Sequence, residues 1–210
     1  MIKIFRLVWY TIAVLLFISC NDETQPKSET YRNPIISGFA PDPSICRFGD
    51  DYYLINSTFE YFPGIQVYHS TDLVNWKLIA NALHDINQNI VMDSINSSAG
   101  IHAPTIRYHK GLFYIIATNN LDGKMINFII TEEDPNGPWS NAYILKDAPG
   151  IDPSLFFDDN GKVWFVGTHD TGNPDKNGIG EIWIQELDLE SWKLIGERFS
   201  IWTGACGGCC

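Results

Sequence analysis

The 210-residue sequence predicts an all-β chain built as successive blades of a β-propeller. The first observation is a phrase that returns three times: Asp42-Pro43-Ser44-Ile45, Ala103-Pro104-Thr105-Ile106 and Asp152-Pro153-Ser154-Leu155. The second lies directly downstream of each copy. Cys46 to Thr58, Arg107 to Thr118 and Phe156 to Thr168 each read as apolar strand, short turn, apolar strand, the signature of a hairpin. The third is a later marker in step with the first: Trp76, Trp139 and Trp192 trail the prolines by 33, 35 and 39 residues. The prolines are themselves 61 and 49 residues apart, about the length of one four-stranded blade.

From the N-terminus, residues 1–19 read as an export signal: Lys3 and Arg6 precede an apolar run from Leu7 to Ser19 that is too short for a membrane span. Phe17-Ile18-Ser19-Cys20 resembles a bacterial lipobox, which implies that Cys20 is lipidated and anchors an exported lipoprotein. The anchored chain is expected at the outer membrane, on the cell surface or its periplasmic face. Residues 20–32 are polar and aperiodic, a flexible tether. The folded domain is expected over 33–204, with Trp76, Trp139 and Trp192 packing the blades and Asp158-Asp159-Asn160-Gly161 forming a hairpin turn rather than a calcium loop.

Residues 205–210 form an aberrant Cys/Gly tail. Cys206, Cys209 and Cys210 have no accompanying histidine or second cysteine pair, so terminal disorder is expected there and no metal site. Cys46 falls in a strand and reads as a small core residue. The apolar fraction of 45% is ample for a core. A net charge of −11 argues against nucleic acid as a partner.

Asp42, Ala103 and Asp152 hold one slot, immediately before the repeated proline. In a propeller that slot belongs to the innermost strand of each blade, so all three positions should face the axial funnel. Asp42 and Asp152 would then approach one pocket from different sides, with Ala103 leaving room between them. Two carboxylates facing one pocket are the arrangement that general acid/base chemistry requires.

The run from Asn33 to Arg47, with Asp51 to Leu54, Phe59 to Gly64, His69 to Trp76, His102 to Ile106 and Gly150 to Phe157, resembles glycoside hydrolase family 43. Within it the chain is most similar to β-xylosidases and α-L-arabinofuranosidases. The resemblance implies a five-bladed propeller, about three blades of which lie in these 210 residues, and an inverting acid/base mechanism without a cofactor. It implies Asp42 as the general base and Asp152 as the group that raises the pKa of, and orients, the general acid. That acid is implied to be a glutamate in a Glu-Gly-Pro phrase that comes after a segment like Ile201 to Gly204 in relatives and is absent here.

Phe59, His102 and Ile151 fall where such relatives line the sugar ring, and His102 and Ile151 stand where many carry Trp or Phe. The implied substrate is a xylan or arabinoxylan oligosaccharide or polysaccharide, and the implied reaction is release of its terminal xylose or arabinofuranose. Without the acid, the 210 residues alone are expected to hydrolyse negligibly. The competing expectation is a non-catalytic glycan-binding lipoprotein or an inactive truncated product. An unclosed propeller is also expected to expose blade faces and to aggregate.

Overall fold

In the computed structural model, residues 30–170 and 180–203 are described. The expected signal at 1–19, the lipidation site Cys20 and the tail at 205–210 lie outside the described residues, as does most of the tether. The described residues from Pro34 onward belong to one compact unit.

That unit contains three four-stranded antiparallel sheets, each a meander in chain order. Blade one is β1 (Ser44–Phe48), β2 (Asp51–Ile55), β3 (Gly64–Ser70) and β4 (Lys77–Leu83). Blade two is β5 (Gly100–His109), β6 (Leu112–Leu121), β7 (Lys124–Glu132) and β8 (Tyr143–Ile144). Blade three is β9 (Ile151–Phe157), β10 (Val163–Asp170), β11 (Gly180–Asp188) and β12 (Lys193–Trp202). The fold is thus three blades of a β-propeller, as the repeat predicted.

Turn chemistry explains the hairpins. Lys110-Gly111 and Asp122-Gly123 close two-residue loops with positive φ at both positions, which matches the right-handed strand twist. The Asp158 to Gly161 segment is a turn, closed by the Gly161 N–H donating to Asp158 O at 3.0 Å. The tryptophans occupy one place in each blade, between its third and fourth strands. Trp139 is buried, Trp76 and Trp192 are half-buried, and Trp192 stacks on Tyr143 at 4.1 Å.

Strand alternation assigns the cores. In β6, Phe113, Ile115 and Ala117 face blade one while Tyr114 and Ile116 face blade three; in β7, Phe128 and Ile130 oppose Ile129 in the same way. Blade two is therefore buried on both faces, which is why β6 reads as an unbroken apolar run. Blades one and three bury one face each, through Ile55, Ile65 and Val67 in one and Leu155, Phe165 and Trp183 in the other. Their other faces carry exposed Ile45 and Leu78, and exposed Phe156, Phe199 and Trp202. Cys46 is half-buried against the first core, and burial pushes its thiol up to about 12 against the opposing charge of Arg107.

One alignment is corrected. The hairpin runs end on Thr58, Thr118 and Thr168 in sequence, but the register pairs Thr118 with His102 and Thr168 with Ile151. In blade one the matching partner is Ser57, whose N–H donates to Pro41 O at 3.0 Å. Thr58 lies in the loop between β2 and β3 instead, where its hydroxyl accepts the Ile65 N–H at 3.1 Å.

Candidate active site

β1, β5 and β9 are the first strands of the three sheets; Pro104 and Pro153 sit in bulges within β5 and β9, and Pro43 just before β1. In blade two, Ala103 and Pro104 together oppose Ala117; in blade three, Asp152 and Pro153 oppose Gly167. A bulge tolerates proline because the extra residue leaves the ladder anyway, and it redirects the side chain beside it. Asp42-Pro43 repeats the arrangement immediately before β1 rather than inside it. In all three blades the residue before proline has positive φ: 52° at Asp42, 34° at Ala103 and 54° at Asp152. Non-glycine residues rarely adopt this backbone, and its threefold recurrence makes the strain a property of the repeat.

The slots converge. Asp42, Ala103 and Asp152 line one open cavity of about 280 Å³, together with Thr105 and Arg107. Neighbouring inner strands are tied around it by the Thr105 hydroxyl donating to Pro153 O and by Arg107 Nη2 donating to Ser154 Oγ, both at 2.8 Å. Two larger hollows of about 560 and 410 Å³ lie beside the outer strands β8 and β12; Asp147 is the single carboxylate in their walls, so they lack paired acid/base chemistry. Among the described residues, no group of three or more His, Cys, Asp or Glu is placed to hold a metal ion.

Electrostatics couple the two carboxylates. Asp152 is raised above the ordinary aspartate range, first by the protein packed around it, then by the negative charge of Asp42, with His102 acting in the opposite direction. Asp42 is held by Ser57, whose hydroxyl donates to Asp42 Oδ2 at 2.6 Å. Ser57 is fully buried, and sequence reasoning missed it; an Asn-Ser-Thr stretch gives no local sign that one hydroxyl reaches 15 residues back.

Phe59 and His102 form a tilted ring pair at 4.7 Å, and Phe39 extends the row, 5.6 Å from Phe59 and 6.0 Å from Tyr61. Phe59 and Ile101 exchange both backbone hydrogen bonds at 3.0 Å, which docks the Phe59 loop onto the start of β5. Gly100 makes this possible: its φ is +85°, and a Cβ there would lie 2.2 Å from Phe59 O. Phe59, His102 and Ile151 do not line the 280 Å³ cavity itself. His102 is nonetheless near enough for its charge to act on Asp152, and Ile151 adjoins that residue in β9.

The family profile for Glycosyl hydrolases family 43 matches residues 31–209. The chain belongs to this family. It is 54% identical over 178 residues to a xylosidase/arabinosidase of Butyrivibrio fibrisolvens, covering 82% of this chain and 33% of that protein. It is 50% identical over 151 residues to a non-reducing end alpha-L-arabinofuranosidase of Bacteroides ovatus, covering 71% of this chain and 27% of that one. A family 43 structure retrieved from a capybara gut metagenome superposes with TM-score 0.76 at 42% identity, covering 83% of this chain and 33% of its own. The xylan beta-1,4-xylosidase of Bacillus halodurans superposes with TM-score 0.75 at 37% identity, over 84% of this chain and 34% of its own. The family 43 chain thus spans about a third of the length of these relatives.

Proposed function

We propose that this family 43 chain carries the base side of an exo-acting, inverting glycosidase that removes terminal xylose or arabinofuranose from hemicellulose-derived glycans. The observation that carries the reading is the shared cavity of Asp42 and Asp152 across a small Ala103. In this mechanism Asp42 takes a proton from water, and the water oxygen bonds to the anomeric carbon as the glycosidic C–O bond breaks. A separate carboxylic acid protonates the leaving oxygen. Asp152 acts on that acid through its negative charge, which keeps the acid's proton in place near neutral pH.

The row of Phe39, Phe59 and His102 would supply flat faces for the C–H side of a sugar ring, and Ile151, beside Asp152 in β9, a further apolar contact. The acid is assigned to chain outside the three blades, so the 210 residues alone should hydrolyse negligibly. A second reading, a glycan-binding lipoprotein without catalysis, is favoured by one fact: among the described residues only two carboxylates line the cavity. Under either reading we place the protein outside the cytoplasm, anchored through a lipid on Cys20.

The test uses the complete product of the gene and its Asp42→Asn variant on aryl β-xyloside and aryl α-L-arabinofuranoside. Loss of a general base should lower kcat by about 10²- to 10⁴-fold. Proton NMR of the first product should show the inverted anomer. Equal turnover by parent and variant removes Asp42 from the mechanism, and binding without turnover by the parent selects the glycan-binding reading.

A further inference from the structure

The bulge in β5 leaves the Ala103 N–H outside the ladder to β6, because Ala103 and Pro104 together face the single residue Ala117. That N–H donates instead to Ser57 Oγ at 2.7 Å. The same oxygen lies 2.6 Å from Asp42 Oδ2. Ser57 is fully buried, so water does not compete for its hydroxyl. A hydroxyl has one proton; an N–H can only donate to it and an ionised carboxylate can only accept from it. The proton of Ser57 is therefore committed to Asp42 Oδ2, and Asp42 Oδ1 has no hydrogen-bond partner among the described residues.

We propose that Ser57 is a positioning residue for the base: through the blade-two backbone it locks one oxygen of Asp42 and leaves the other to receive the proton from water. The relay also links two blades, since Asp42 and Ser57 belong to blade one and Ala103 to blade two. Among the described residues the arrangement occurs at this junction alone. Thr118 and Thr168 hold the corresponding places in the other blades, and the Thr118 hydroxyl donates to Asn127 Oδ1 at 2.7 Å instead. The proposal rests on the assignment of Asp42 as base.

The experiment compares Ser57→Ala, Ser57→Thr and Ser57→Cys in the complete gene product, alone and combined with Asp42→Asn. Loss of a hydrogen bond to a charged group should lower kcat about ten- to a hundredfold in Ser57→Ala with KM unchanged. Ser57→Thr, the residue of the other blades, should restore the rate. In the Asp42→Asn background, Ser57→Ala should change nothing further.

A parent-like kcat in Ser57→Ala overturns the proposal, as does a drop of equal size in the Asp42→Asn background. If Ser57→Ala does not fold, Ser57→Cys decides the matter, because its thiol fills the site and donates only weakly: a lowered kcat with KM unchanged supports the relay and a parent-like kcat refutes it. Full activity of Asp42→Asn by itself would sink the base assignment instead, so the two failures are distinct.

Discussion

Gly100→Ala separates a backbone preference from a close contact at the site's edge. An L-residue in left-handed backbone costs about 1–2 kcal/mol relative to glycine, and Gly100 has φ +85°. The new Cβ would lie 2.2 Å from Phe59 O, against ordinary contact from 3.4 Å, so the neighbour must yield by more than an ångström. That neighbour is backbone, held by two 3.0 Å hydrogen bonds to Ile101. Overpacking adds about 1–3 kcal/mol, and a weakened bridge adds about 1 kcal/mol more.

The expected loss is about 3–6 kcal/mol, which lowers the Tm of the cooperative unit that contains these blades. Gly123→Ala is the control, with φ +93° and nothing within 4 Å of its Cβ. It should lose only the conformational part, about 1–2 kcal/mol. Thermal denaturation of both variants, followed by circular dichroism in the complete gene product, measures the difference. Equal Tm values would refute the claim that the Phe59 loop is pinned on β5 by a missing Cβ.

The raised pKa of Asp152 makes a second prediction. The folded protein keeps that proton at pH values where the unfolded chain has released it, so this group's contribution to stability falls as pH rises from about 4 through the raised value. Asp152→Asn removes this contribution, so the variant should gain on the parent as denaturant midpoints are compared at rising pH; a pH-independent difference would contradict the assignment. For the proposed anchor, metabolic labelling with palmitate should mark the protein in its bacterial host and vanish in Cys20→Ser. Labelling that survives this substitution would exclude Cys20 as the lipid site.

Much of the fold was legible because a strand repeats every two residues and a blade repeats as a unit. The phased prolines and tryptophans identified three blades, and the apolar run of Phe113 to Ala117 matches a strand buried on both faces. The slot of Asp42, Ala103 and Asp152 was legible too, since it is a position within the repeat. Its backbone was not. A residue before proline prefers extended backbone, yet all three slots take positive φ, because the bulge and the neighbouring inner strands override local preference.

The equivalence of Ser57 with Thr118 and Thr168 escaped the sequence for a related reason. The three hairpin runs align naturally on their threonines, and only the hydrogen-bond register of each bulge shows that blade one is offset by a residue. Phe39 was missed because it precedes the first strand and carries no repeat phase; its ring contacts with Phe59 and Tyr61 are made in space, not in sequence.

By itself, then, the sequence determined that this chain is a phased β array with two acidic residues in one recurring place, because periodicity and turn chemistry are local properties. Tertiary structure decided which atoms meet: that the carboxylates share a cavity, that the charge of Asp42 acts on Asp152, and that a buried serine fastens Asp42 to the neighbouring blade. Those relations depend on bulge register and on how one blade packs against the next, and neither is written in any single stretch of residues.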